Sequence, residues 1–113
     1  MTGPRLTSEF RVKALIRRVH DAGGSAMVLR RGDATSGAVL IVIEDRDGQA
    51  ALYERGIGPD GDSALIRTGP RPDSDERIDE YWQRRASRDP DLWVVEISVP
   101  EAERFAAETI SVA

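Results

Sequence analysis

Five consecutive aliphatic residues, Val39 to Ile43, constrain the fold of this chain more than any other stretch. Because side chains alternate between the two faces of a strand, such a run leaves neither face polar. Valine and isoleucine favour strands, and the run is long enough for a strand but short for a helix. Gly37 before the run and an Asp-Arg-Asp-Gly turn after it mark its ends. We therefore predict an interior strand, paired on both sides and covered on both faces.

The bulk composition indicates one small domain over residues 1–113. The chain has no cysteine, which excludes disulfides and cysteine-ligated zinc. No apolar run approaches the roughly 20 residues of a membrane span, and the N-terminus lacks the apolar core of a signal peptide. We expect a cytoplasmic protein with no membrane partner.

The net charge of −4 argues against a dedicated nucleic-acid binder, which usually carries a basic balance. Of the 16 basic residues, all but Lys13 are arginine. Arginine suits bidentate recognition of anions, but alternation sends the neighbours Arg30 and Arg31 to opposite faces of a strand. We expect most of these arginines to be solvated.

The hydrophobic periodicity predicts one α+β domain with the order α-β-β-β-β-α-β-α. Short connections make the first four strands antiparallel neighbours, so we predict a mainly antiparallel sheet of about five strands with helices packed on it. The place of the fifth strand in the sheet is left open. The predicted helices span 8–22, 73–88 and a short segment opened by Pro100; the predicted strands span 25–31, 39–43, 49–55, 63–68 and 92–99.

The first predicted helix has one apolar stripe and one apolar outlier. The stripe has helical spacing and consists of Val12, Leu15, Ile16, Val19 and Ala22. Arg11 and four other charged side chains are expected to point away from it. Phe10 lies nearly opposite the stripe, where the C-terminal tail or a second subunit could cover it.

Three segments carry a resemblance to a known family. They are Arg-Arg-Gly-Asp at 30–33, Gly-Ala-Val-Leu at 37–40 and, above all, Asp-Pro-Asp-Leu-Trp-Val-Val-Glu at 89–96. In these segments the chain resembles a family of small bacterial proteins that is known only as a domain of unknown function. The resemblance spans nearly the whole chain and implies a single small bacterial domain, but it implies no activity, cofactor or catalytic residue.

Residues that could carry catalysis are few. His20, the only histidine, falls in the last turn of the first helix and is expected to be a surface residue. The glycine-rich loop at 56–62 lacks the Gly-Lys-Ser/Thr ending of a phosphate loop and the spaced acids of a calcium loop. We therefore expect no catalytic residue, metal site or cofactor.

The second predicted helix contains an anomaly. Ile78, Tyr81, Trp82 and Arg85 share one stripe, so Arg85 stands on the face that should be apolar. A buried unpaired charge is very costly. Arg85 is therefore either partly buried and bonded to a carboxylate, or open to a cleft as part of a ligand site.

The two interpretations of Arg85 make different predictions. Under the structural one, its partner is Glu96, with Asp91 or Glu44 as alternatives, and the pair holds the helix on the sheet. Under the functional one, Arg85 binds a small anionic ligand beside Trp82 and Tyr81.

Two functions from different classes follow from the sequence. We expect first a non-enzymatic accessory or regulatory module that acts through protein contacts, and a homodimer in which a sheet face or Phe10 supplies the apolar patch. The alternative is a binder of a small anion, or an enzyme, that uses an arginine beside Trp82 and Tyr81.

Overall fold

The computed structural model describes residues 6–44 and 47–112 and contains the eight elements in the predicted order. One five-stranded sheet with three helices confirms the α+β class. Asp45 and Arg46 of the predicted turn lie outside the described residues. The elements are α1 (Ser8–Asp21), β1 (Ser25–Arg30), β2 (Val39–Glu44), β3 (Ala50–Ile57), β4 (Ser63–Thr68), α2 (Ile78–Arg88), β5 (Trp93–Ser98) and α3 (Ala102–Ile110).

The aliphatic run forms β2, the middle strand of the sheet. The strand order is β1-β5-β2-β3-β4. β2 pairs antiparallel with β3, where Val42 lies opposite Leu52, and parallel with β5, where Val42 lies opposite Glu96. Residues Val39 to Ile43 are all buried. The predicted interior strand is thereby confirmed.

The predicted pairing of β1 with β2 is wrong. β5 lies between these two strands, antiparallel to β1 and parallel to β2. The antiparallel meander holds only for β2, β3 and β4. The connection over 31–38 is no tight hairpin, and it crosses the start of β5, where Trp93 donates its backbone N–H to the carbonyl of Ala38. A connection of this length can span the roughly 10 Å that separates alternate strands of a sheet.

The two faces of the sheet carry different helices. We call the face under α1 and α3 the first face; its side chains from β2 and β5 are Val39, Ile41, Ile43, Trp93, Val95 and Ile97. The second face lies under α2, and its buried side chains are Leu40, Val42, Leu52 and Val94, with Leu92 beside them. No residue of α2 is itself buried, so this helix covers the second face incompletely.

α2 begins later than predicted. The sequence favoured a start near Asp73 or Ser74, but the helix begins at Ile78 with Arg77 as its N-cap. The Ser74 hydroxyl accepts the N–H of Glu76 at 3.0 Å, which forms a local turn in place of a first helical turn. Serine and aspartate compete with helix in this way. Ile78 is the first residue of the segment to pack on the sheet.

Arg11 does not point away from the core as predicted. It is buried, and its Nη1 donates to the carbonyl oxygens of Thr109, Ile110 and Val112 at 3.3, 3.2 and 2.6 Å. These carbonyls at the end of α3 have no partner within their own helix, and a cation there also suits the helix dipole. Burial, and to a lesser extent the charge of Arg55, lowers the pKa of Arg11. Phe10 is exposed, as its place on the helix indicated.

Candidate functional site

Arg85 forms an ion pair between α2 and the sheet. Its Nη1 donates to Glu54 Oε2 at 2.6 Å, and the two side chains are 29% and 26% exposed. Partial burial opposes the charged form of Arg85, but the hydrogen bond and charge of Glu54, with a smaller contribution from Tyr81, outweigh it and raise the pKa of the guanidinium. Arg85 is therefore partly buried and bonded to a carboxylate, as the structural interpretation stated, but none of the three predicted partners is the carboxylate it binds.

Glu54 was missed because its role depends on the strand order. It lies two residues after Leu52 on the same face of β3, the second face. The sheet places β3 beneath the C-terminal half of α2, whereas Glu96 lies on β5 and is exposed. Alternation along β3 could have marked Glu54 as a carboxylate on an otherwise covered face. It could not have shown which helix covers that face.

The structure keeps two residues of the predicted ligand site together, Tyr81 beside Arg85, and places the third, Trp82, apart from them. The Tyr81 hydroxyl hydrogen-bonds the Thr68 hydroxyl at 3.2 Å, near the edge strand β4. Trp82 instead lines a groove near the N-terminal half of α2, and neither Tyr81 nor Arg85 lines that groove. The ligand-binding role of these residues stays a prediction.

The ion pair gives a testable coupling. We expect Arg85→Met and Glu54→Gln each to destabilise the fold, and the double variant to be more stable than the sum of the two losses implies. For a pair that is about a quarter exposed the coupling should be about 1 kcal/mol in a double-mutant cycle of urea unfolding. The cycle Arg85→Met with Glu96→Gln serves as control and should show no coupling. Equal coupling in both cycles would contradict the assignment of Glu54.

β1 is an edge strand that lacks the usual protection against pairing. It pairs with β5 on one side, and its other side carries no strand of this sheet. Met27 is 60% exposed and Val28 39% exposed, and they lie on opposite faces. No residue from Ser25 to Leu29 is charged. Natural edge strands are usually blocked by charge, proline or a covering element. Among the residues that the structure describes, β1 has an irregularity in its register between Val28 and Arg30, and its one charge, Arg30 at the last position, donates to the backbone carbonyls of Pro90 and Leu92.

The opposite edge of the sheet, β4, is better protected. This strand carries Arg67 near its end, and Asp60 and Asp62 stand just before its start. Of its apolar residues only Ile66 is exposed, at the limit of the exposed range. Of the two edges, β1 is therefore the one suited to bind a further strand.

The segments that carry the family resemblance meet at one junction. The Trp93 indole N–H donates to the carbonyl of Asp33 at 2.7 Å, and the Asp33 backbone N–H donates to the carbonyl of Asp91 at 3.0 Å. The Asp33 carboxylate accepts the N–H groups of Ser36 and Thr35 at 2.9 and 3.0 Å, which lowers its pKa. The connection after β1 is thus fastened to the start of β5.

The same junction also begins α1. The backbone N–H groups of Ser8 and Glu9 donate to the carbonyls of Thr35 and Ala34 at 3.1 and 2.9 Å. These are first-turn N–H groups that have no partner inside the helix. The motif residues therefore contact each other and the backbone. These contacts give the motif residues a structural role in the fold.

Other predicted features remain peripheral. His20 is exposed at the end of α1. Among residues 6–44 and 47–112, no group of three histidine, cysteine or acidic side chains is placed to hold a metal ion. Within the same residues, none of the helices is long and apolar enough to cross a membrane.

Comparisons with known proteins place this geometry in a family. A model of the DUF1491 family, described as "Protein of unknown function", matches residues 6–107. No curated protein matches the chain.

Solved structures show the same fold in relatives. A crystal structure of a DUF1491 family protein from Caulobacter crescentus CB15 is 37% identical, with 89% of this chain and 94% of that one covered and a TM-score of 0.74. An NMR structure of a DUF1491 family protein from the same organism is 38% identical, covers 91% and 94% of the two chains and gives a TM-score of 0.70. A solution structure of an A. tumefaciens protein is 34% identical, with 85% of this chain and 87% of that one covered and a TM-score of 0.64.

Proposed function

The chain belongs to the DUF1491 family, and on that premise we propose that it is an accessory module that acts through protein contacts, first with a second copy of itself. The single observation that carries this proposal is the exposed edge of β1, which is uncharged from Ser25 to Leu29. We place the module in the cytoplasm, in keeping with a chain that uses no cysteine.

The proposed dimer pairs β1 with β1 of the second copy in antiparallel fashion. If the two-fold axis passes beside Met27, Met27 lies opposite its counterpart, Ala26 opposite Val28, and Ser25 opposite Leu29. Every cross-strand pair from Ser25 to Leu29 is uncharged, and Arg30 falls opposite Gly24, so a two-fold contact brings no like charges together. The pairing would satisfy the free backbone groups of the edge and cover Met27 and Val28, continuing the sheet across both copies.

Sedimentation equilibrium tests the dimer. We expect the wild-type chain to associate and Met27→Lys to weaken association at least about tenfold, because two lysines would then face each other across the axis. Ile57→Lys is the matched control, since Ile57 is also a strongly exposed aliphatic residue but lies on β3. We expect it to associate like the wild type. A wild-type chain that is monomeric at all accessible concentrations, or equal weakening by both lysines, would contradict the proposal.

A further inference from the structure

A groove lies on the second face of the sheet, beside the N-terminal half of α2. Its volume is about 540 Å³ and it is open to solvent. Its floor comes from four strands and its wall from the helix. The residues that matter below are Leu29, Val42, Ala50 and Glu96 on the sheet and Ile78 and Trp82 on α2. The groove exists because α2 covers only part of this face.

Within residues 6–44 and 47–112, the charge at the groove that has no ion-pair partner is negative. Two of its acidic residues are already paired: Glu76 with Arg84 at 2.9 Å, and Asp79 with Arg77 at 2.7 Å. Glu96 is different, since it is exposed and has no ion pair or side-chain hydrogen bond to any residue that the structure describes.

A second carboxylate without an ion pair among the described residues lies next to the groove. Glu44 follows Val42 on the same face of β2, is exposed, and likewise has no ion pair within residues 6–44 and 47–112. Because Val42 lies opposite Glu96 in the parallel pair, Glu44 and Glu96 stand on neighbouring strands. Strand geometry places their Cα atoms roughly 8 Å apart.

We propose that this groove binds a basic, partly apolar peptide segment of a partner protein. Ile78, Trp82 and Leu29 offer apolar and aromatic surface, and the face of Trp82 can also bind a cation. The carboxylates of Glu44 and Glu96, unpaired among the described residues, are complementary to a positively charged ligand. In an extended peptide, residues two apart lie about 6.7 Å from each other on one side. Two arginines at that spacing can reach both carboxylates, while the residues between them contact α2.

The proposal shares with the preceding one the premise that the chain acts through protein contacts, but it uses a different surface. The pairing of β1 uses a backbone edge, whereas the groove uses side chains of the second face. The two can therefore fail separately.

NMR titration with the peptide acetyl-Arg-Leu-Arg-Leu-Arg-amide tests the groove. In the ¹⁵N-labelled wild-type chain we expect shifts of the Trp82 indole N–H and of the amides near Glu96. The Trp93 indole N–H, which is bonded to Asp33, should not move. Glu96→Gln should weaken binding at least about fivefold, and Asp21→Asn, an exposed carboxylate at the end of α1, should leave it unchanged.

Three results would overturn the groove proposal. The first is no binding, or shifts that map elsewhere. The second is equal binding of acetyl-Glu-Leu-Glu-Leu-Glu-amide, which would show that charge plays no part. The third is equal binding of spermidine, which would show a site for small cations. Sedimentation of the same samples separates the two proposals. A monomer that binds the peptide supports the groove and refutes β1 pairing. A dimer that does not bind the peptide refutes the groove and supports β1 pairing.

Discussion

Replacing Ile41 with alanine is expected to lower the free energy of unfolding by about 2–5 kcal/mol. Ile41 is fully buried in the first-face core, on a strand paired on both sides. The lost methyl and methylene groups leave a cavity that this close-packed centre cannot refill. Urea unfolding with an unchanged dependence on denaturant measures the loss.

The matched control for this prediction is Ile57→Ala. The same side chain is removed, but at a strongly exposed position of β3, so the cost should stay within about 0.5 kcal/mol. Similar losses at both positions would mean that β2 is not the centre of the core.

Replacing Gly37 with alanine is expected to destabilise the fold by about 3 kcal/mol or more. A Cβ at this position would overlap the carbonyl oxygen of Asp91 and come within 3.0 Å of the Trp93 ring. Both belong to the junction that joins the start of β5 to the connection before β2. Since backbone occupies the space, neither neighbour can move aside without breaking the hydrogen bonds of the junction.

Thermal and urea unfolding measure the Gly37→Ala effect, and the indole N–H resonance of Trp93 reports whether its bond to Asp33 survives. Ser36→Ala is the control, because it changes the adjacent, exposed residue and removes only a weak 3.4 Å contact to Asp33. We expect that control to stay within about 0.5 kcal/mol. A Gly37→Ala chain as stable as the control would contradict the close packing described for this junction.

The local part of this fold could be predicted from the sequence because it depends on short-range periodicity. The run Val39 to Ile43 is apolar on both faces, and the structure buries both faces of β2. In β5, Trp93, Val95 and Ile97 share one face, and all three lie in the first-face core. In α3, Phe105 lies on the predicted apolar side and is buried. Each of these predictions needs only residues within one element.

The contacts that the sequence did not show join elements far apart in the chain. The insertion of β5 between β1 and β2 is set by pairing across long separations, which no local pattern records. The carboxylate that Arg85 binds depends on this strand order, so the sequence did not indicate Glu54. The apolar stripe of α1 predicts that Arg11 points away from the core, yet Arg11 lies one turn before Leu15 and donates to the carbonyls at the end of α3. A charged residue at the edge of an apolar stripe can cap the C-terminal end of another helix.

The resemblance in segments 30–33, 37–40 and 89–96 pointed to a family, and membership in DUF1491 confirms it. The structure adds a physical reason for two of its glycines. A Cβ on Gly32 or Gly37 would meet the backbone at Asp91, so both positions need a residue without a side chain.

Filtered NOE spectroscopy tests the proposed self-association at β1 most directly. A mixture of deuterated, ¹⁵N-labelled chain with chain ¹³C-labelled at its methionine methyl groups shows contacts only between copies. We predict cross-peaks from the Met27 methyl group of one copy to the β1 amides of the other. Cross-peaks that instead arise at Phe10 or another surface, or their complete absence at millimolar concentration, would contradict pairing through β1.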